Sequence, residues 1–198
     1  MGPVTTTLLL QAGFVLLAFG WRTLAQVRAT GSTGFVAHRE RGLVAKAAGL
    51  ALTIGLLAVV AGTLLADDRD WDAPAYVGVV AMLGGLALCL AAQLAMGASW
   101  RIGVDPEERT DLVTTGLFGT VRNPIFTAMI LFAAGSALAV PTLGTVLGLV
   151  VATAGIVAQV LAVEEPHLRR QHGTAYDAYV SRSGRFLPRL ARAGRAAA

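Results

Sequence analysis

Uncharged apolar runs alternate with charged connections along this chain, and that alternation restricts its possible folds more than any other feature. A helix needs about 20 apolar residues to cross the hydrocarbon of a bilayer. Five runs reach or approach that length: Val4–Trp21, Leu43–Ala66, Ala75–Met96, Pro124–Val140 and Thr142–Val163. In lipid the backbone must satisfy its own hydrogen bonds, so such runs become helices. The pattern predicts an all-α membrane protein of five transmembrane helices, with a C-terminal helical hairpin and short cytoplasmic helices. Charged residues make up 14% of the chain, against about 25% in soluble domains. An ordinary soluble fold is thereby excluded.

The runs differ in detail. The first is the most polar, with Thr5, Thr6, Thr7 and Gln11, but it has no charge. Lys46 lies close enough to the end of the second to snorkel. Only Pro141 separates the last two, which predicts a tight antiparallel hairpin. Glycines at Gly49, Gly55 and Gly62, and at Gly144, Gly148 and Gly155, suit close helix packing. Cys89 has no cysteine partner and reads as a small hydrophobe within its helix. No cleavable signal peptide is expected, because no basic residue precedes the first run. The net charge is +4, yet the basic residues flank apolar runs and form no soluble face. Nucleic-acid binding is not expected.

Orientation follows from the loops. Arg22, Arg28, Arg39, Arg41 and Lys46 lie in the first connection, Arg101, Arg109 and Arg122 in the third. Arg169, Arg170, Arg182, Arg185, Arg189, Arg192 and Arg195 follow the last run, which puts fifteen of the sixteen basic residues on one side. The second connection carries Asp67, Asp68, Asp70 and Asp72 against Arg69. The positive-inside rule then sets the amino terminus outside and the carboxyl terminus in the cytoplasm. Trp21, Trp71 and Trp100 fall near the expected interfaces, as an aromatic belt would. Residues 1–96 read as a three-helix frame, 97–188 as the working part, and 189–198 as a flexible tail.

Two polar clusters face the same side. Thr115–Ala128 turns from a polar loop into an apolar helix, with Arg122 and Asn123 at the edge and Pro124 at the first helical position. Glu164-Glu165-Pro166-His167 lies one hairpin later. Arg122 stands nineteen residues before Pro141 and Glu164 twenty-three after it, a depth difference of about 6 Å at 1.5 Å per residue. Arg122, Asn123, Glu164 and Glu165 can therefore meet in one pocket. The residues alone leave two readings open, an ion pair that anchors helix ends and a working site. Downstream, Gly173 suits a helix stop, and Tyr176 and Tyr179 share a face of the next helix.

Several elements occur in a telling order: Gly116-Leu117-Phe118, Arg122-Asn123-Pro124, Glu164-Glu165-Pro166-His167-Leu168, Gly173-Thr174-Ala175-Tyr176-Asp177-Ala178-Tyr179 and Phe186-Leu187-Pro188. Together with Ala98–Gly103 they resemble the isoprenylcysteine carboxyl methyltransferase and phospholipid methyltransferase superfamily of integral-membrane enzymes, over roughly Ser99–Pro188. The resemblance implies S-adenosylmethionine as cofactor. It implies cofactor contacts from Gly116, Leu117, Phe118, Val121, Arg122, Asn123, Pro124, Glu164, Glu165, Leu168 and Tyr176, with Arg122, Asn123 and Glu165 central to catalysis. The fork of Arg122 and the amides of Val121–Asn123 suit the cofactor carboxylate, a glutamate its ammonium or ribose, and Phe118 or Tyr176 its adenine. Trp100, Arg101, Phe126, Tyr179 and Arg185 would line the acceptor side. Asn123 stands where the family often has histidine, and Phe126-Thr127-Ala128 replaces a Tyr-x-Gly. Asparagine does not titrate near neutral pH, so position 123 is expected to hold a cofactor and not to carry protons.

Methyl transfer needs no metal, and no metal site is expected. His167 and His172 are five apart without a third ligand at suitable spacing, and read as solvated interfacial side chains. The Asp105–Asp111 stretch is a solvated turn or a flap over the pocket. A site at the membrane edge implies a donor from water and a lipophilic acceptor from the bilayer, a carboxylate, hydroxyl or amine, reached through a gap between helices. Abundant Ala, Gly and Arg suit a high-GC bacterial genome and the bacterial inner membrane, which argues against a prenylated protein as acceptor. Two alternatives remain in view. One is an NADPH-dependent membrane reductase of the sterol-reductase type, against which the Glu164-Glu165 pair argues. The other is a scaffold or transporter, which would want charge near mid-bilayer. The residues carry no signal for oligomeric state.

Overall fold

The fold is seen in a computed structural model that describes residues 1–36, 42–103 and 111–189. Arg39, Arg41, Arg109, Asp105–Thr110 and the tail beyond Arg189 lie outside the described residues. Helix α1 (Pro3–Phe14) opens with a proline, where the missing amide is harmless. It passes through a π-helical turn, Val15–Trp21, into α2 (Arg22–Thr30). Helices α3 (Leu43–Leu64) and α4 (Ala73–Met96) follow. A short α5 (Leu117–Thr120) precedes α6 (Pro124–Ala139) and α7 (Leu143–Gln159). A second π-turn, Val160–Glu164, leads into α8 (Glu165–His172), and α9 (Thr174–Arg182) completes the order. The described residues contain no strand, only isolated bridges between Phe35 and Ile102 and between Val121 and Gly184.

Among the described residues, four continuous helical stretches are long and apolar enough to cross a membrane: Pro3–Thr30, Leu43–Leu64, Ala73–Ser99 and Leu143–His172. The fifth apolar helix, α6, has 16 residues and is about 24 Å long at 1.5 Å per residue, short of the roughly 30 Å of hydrocarbon. The first stretch runs well past Trp21, where the apolar run ends, because its polar residues find partners. Arg22 is buried, donates from Nη2 to the Gly97 carbonyl at 2.6 Å, and stacks 4.6 Å over the Trp100 ring. Gln26 donates to the Ala98 carbonyl at 2.8 Å. Gly31, at φ 75°, then ends the helix in a left-handed turn. The polar residues earlier in α1 face inward too: Gln11 donates to Thr63 Oγ1 at 3.0 Å.

Glycine decides which helices touch. A Cβ at Gly148 of α7 would fall 2.6 Å from the Gly55 carbonyl oxygen of α3, and one at Gly135 of α6 would fall 2.6 Å from the Gly78 oxygen of α4. The chain therefore forms two tightly packed pairs, α3 with α7 and α4 with α6. The expected α6–α7 hairpin is present, turned at Pro141 and capped by Thr142, but each arm makes its closest packing with a helix from the first half. A short connection fixes adjacency. Close contact goes to the faces where a side chain is missing. Phe14 of α1 wedges against Phe132 of α6, with ring centroids 4.4 Å apart, and joins Met82, Cys89 and Ile156 in the core.

Candidate active site

The chain after α9 doubles back as an extended strap, Ser183–Phe186, against the start of α6. The Arg122 amide donates to Gly184 O at 2.8 Å, and Gly184 N donates to Thr120 O at 2.9 Å. The Asn123 amide donates to Arg185 O at 3.1 Å, as does its side-chain Nδ2. Thr127 Oγ1 donates to Phe186 O at 2.8 Å. A Cβ at Gly184 would collide with the Leu187 carbonyl, so only glycine allows this turn. Beneath the strap, Tyr179 donates its hydroxyl to Phe118 O at 2.7 Å and meets Tyr176 edge to face, centroids 6.1 Å apart. Burial pushes both phenols up to about 12, so they stay protonated and Tyr179 keeps its donor.

Three charges lock this layer. Glu165 Oε1 accepts from Arg122 Nη2 at 3.2 Å, so the two polar clusters meet as the hairpin estimate requires. Arg185 binds the same carboxylate with both arms of its fork, Nε to Oε1 at 2.8 Å and Nη2 to Oε2 at 2.9 Å. That carboxylate raises the Arg185 guanidinium above its ordinary value. Arg122 Nη1 donates to the carbonyl of Ser183 at 2.6 Å. The side chains of Arg122 and Glu165 are 8% and 11% exposed, so this pair is buried and each charge depends on the other, while Arg185 closes over it from the surface.

Beside the triad a cavity of about 420 Å³ runs between the two helix pairs. Its polar mouth has Arg101, Asp111, Arg122, Asn123, Glu164 and His167, and its inner wall is largely apolar, interrupted by Gln93 and Gln159. Of the residues singled out from sequence, Trp100, Arg101, Phe118, Arg122, Asn123, Pro124, Phe126, Glu164, Leu168 and Tyr179 line it. Gly116, Leu117, Val121, Glu165, Tyr176 and Arg185 are not among the lining residues. Glu165 and Arg185 are bound to each other, and Tyr176 is buried with the Arg169 guanidinium 5.6 Å over its ring. Trp100 is 2% exposed and sits under Arg22, so it belongs to the cavity wall and not to a lipid-facing aromatic belt.

A family model for phospholipid methyltransferases matches residues 73–175, 103 of the 198 in the chain. The chain belongs to the phospholipid methyltransferase family. No curated protein matches it. Membership implies a membrane methyltransferase, and the matched span carries α4, the mouth residues Arg122 and Glu164, and Glu165. The family span ends before Tyr179 and the strap, which pack onto it through the contacts above.

Sequence reasoning missed the part of the wall supplied by the first half of the chain. Phe19 of the first π-turn, Gly49, Leu52, Thr53 and Leu56 of α3, and Cys89, Gln93 and Met96 of α4 all line the cavity. Their composition is that of any lipid-facing helix. Gln93 is the one that carried a signal, as one of three glutamines within the apolar runs.

Proposed function

We propose that this chain is an S-adenosylmethionine-dependent methyltransferase acting on a lipophilic acceptor at the cytoplasmic face of a bacterial inner membrane. The observation that carries this reading is the cavity itself, which grades from a charged mouth to an apolar wall between helices. A zwitterionic, water-borne donor suits the mouth and an acceptor from the bilayer suits the wall. When bound, the cofactor would supply a sulfonium methyl for transfer to a lone pair of the acceptor. The chain's contribution is to hold the two at attacking distance and exclude water, which can supply about 7–11 kcal/mol of barrier reduction at best.

The residues present fit such a cofactor. Glu164 lines the cavity and suits the ammonium or the ribose hydroxyls. Glu165, held by two arginines, positions the strap and Arg122. The amides of Val121, Arg122 and Asn123 already donate to Leu117, Gly184 and Arg185, so the anion role shifts one turn onward. The first amides of a helix have no intrahelical acceptor, and those of α6 belong to Ile125 and Phe126, which line the cavity. They suit the cofactor carboxylate. Phe118 suits the adenine. Asn123 orients the strap and carries no proton.

Calorimetry on detergent-purified protein tests the proposal, with S-adenosylmethionine as ligand and NADPH as control. Absence of heat with the former would sink it. Glu164→Gln is expected to weaken cofactor affinity about tenfold, the loss of one charge-assisted hydrogen bond. The orientation is checked by reporter fusions at the carboxyl terminus.

A further inference from the structure

We propose that Gln93 and Gly49 select the acceptor: Gln93 Oε1 takes a hydrogen bond from a donor-bearing head group, an amine or a hydroxyl, and Gly49 makes room for the adjoining chain. This rests on the methyltransferase reading and narrows its acceptor from three chemistries to two.

Gln93 lies one turn from the end of α4 and is 2% exposed. Its Nε2 donates to the carbonyl of Ala18, in the first π-turn, at 2.9 Å. A carbonyl can only accept, so this contact fixes which end of the amide faces α1 and turns the oxygen the other way. Among the described residues that oxygen has no hydrogen-bond partner. Gln11 and Gln26 also carry an unpartnered Oε1, but neither lines the cavity, whereas Gln93, like Gln159 of α7, does. A buried acceptor left without a donor is costly. An occupant that brings an N–H or O–H removes that cost. A carboxylate brings none and meets the oxygen with like charge.

Gly49 supplies the second observation. Of the three glycines along α3, Gly55 and Gly62 are pressed against α7, and a Cβ there would strike its backbone. At Gly49 an added Cβ would meet nothing within 4 Å, although the residue lines the cavity. Thr53, one turn along, lines the cavity and is exposed on the outer surface. This wall is where the cavity meets the lipid-facing side of the bundle, and the missing side chain at Gly49 leaves it open.

The test uses the full chain in detergent, saturated with S-adenosylmethionine, and three probes of equal length: dodecylamine, dodecanol and dodecanoate. Binding of the amine or the alcohol is expected to be at least about tenfold tighter than that of dodecanoate, the discrimination of one hydrogen bond. Gly49→Leu, which fills open space on a helix, is expected to weaken that binding at least about tenfold while cofactor affinity and melting temperature stay put. Gln93→Met is expected to erase the preference among the probes. It also removes the contact to Ala18, so its melting temperature is recorded, and if it fails to fold the Gly49→Leu variant and the wild-type preference decide. Equal or tighter binding of dodecanoate, binding of none of the probes, or unchanged binding in Gly49→Leu overturns the inference. Failure of the wild type to bind S-adenosylmethionine is a different result and overturns the methyltransferase reading.

Discussion

The two ends of the bundle are built by opposite rules. At the end opposite the cavity, helices stop on local caps. Asp72 accepts from the Ala75 amide at 2.9 Å, and Thr142 and Thr145 cap each other reciprocally. Asp68 accepts from the Val4 amide at 3.2 Å, and Arg69 ties exposed Asp72 to the Ala139 carbonyl. There the caps of Asp72 and Thr142 are local, while Asp68 and Arg69 reach across to α1 and α6. At the cavity end few groups are satisfied locally. Arg122 reaches Ser183, Asn123 reaches Arg185, and Glu165 joins residues from three separate segments. A sealed end needs only to satisfy its helix termini. An end that must stay open for ligands gets its rigidity from contacts between distant parts of the chain.

The comparison predicts unequal responses to single changes. The largest is expected for Glu165→Ala, which leaves Arg122 buried without its counter-charge and releases the strap. The expected loss is about 3 kcal/mol, read as a fall in melting temperature in detergent together with weakened cofactor binding. A variant as stable as the wild type would show that the triad is not the keystone of this end. Next comes Tyr179→Phe, which leaves the buried Phe118 carbonyl unpaired and should cost about 1–2 kcal/mol. The phenols sharpen this further. Their values lie near 12 against an ordinary 10.0, so the stability they confer is complete below pH 10.0 and is lost as pH rises through about 12. Alkaline unfolding curves of the wild type should therefore steepen in that window, and less so in Tyr179→Phe. The smallest effect belongs to the sealed end. Asp72→Ala removes one exposed cap, should lower the melting temperature least of the three, and should leave cofactor affinity untouched. A cofactor defect in that variant would mean the two ends are coupled and the contrast is false.

Much of this arrangement is legible in the sequence, for definite reasons. Apolar runs announce helices because lipid offers the backbone no other partner. The meeting of Arg122 with Glu165 follows from counting residues around Pro141, since helical rise is constant. Gly173 as a stop and Tyr176 beside Tyr179 follow from local geometry. What stayed hidden depends on information that residue types do not carry. The strap is held largely through the carbonyls of Ser183, Gly184, Arg185 and Phe186, and every residue has a carbonyl. The pairing of α3 with α7 depends on which glycine faces which helix. The cavity wall of Phe19, Gly49 and Gln93 lies on three different helices, and no spacing rule connects them. Both π-turns are invisible to a periodicity of 3.6.

The second π-turn has a consequence for how this chain can vary. Between Gln159 and Glu165 the helix carries a widened turn, and in a helix one residue of offset is about 100° of rotation. Glu164 looks into the cavity and Glu165 meets the arginines because of that offset. Substituting one exposed residue of this segment for another leaves the phase unchanged. Deleting a single one, Ala162 for example, resets it, and is expected to abolish cofactor binding although the lost side chain touches nothing in the site. The helix is thus free in its spelling and rigid in its letter count, and drift in this segment should proceed by replacement, with gains or losses confined to whole turns.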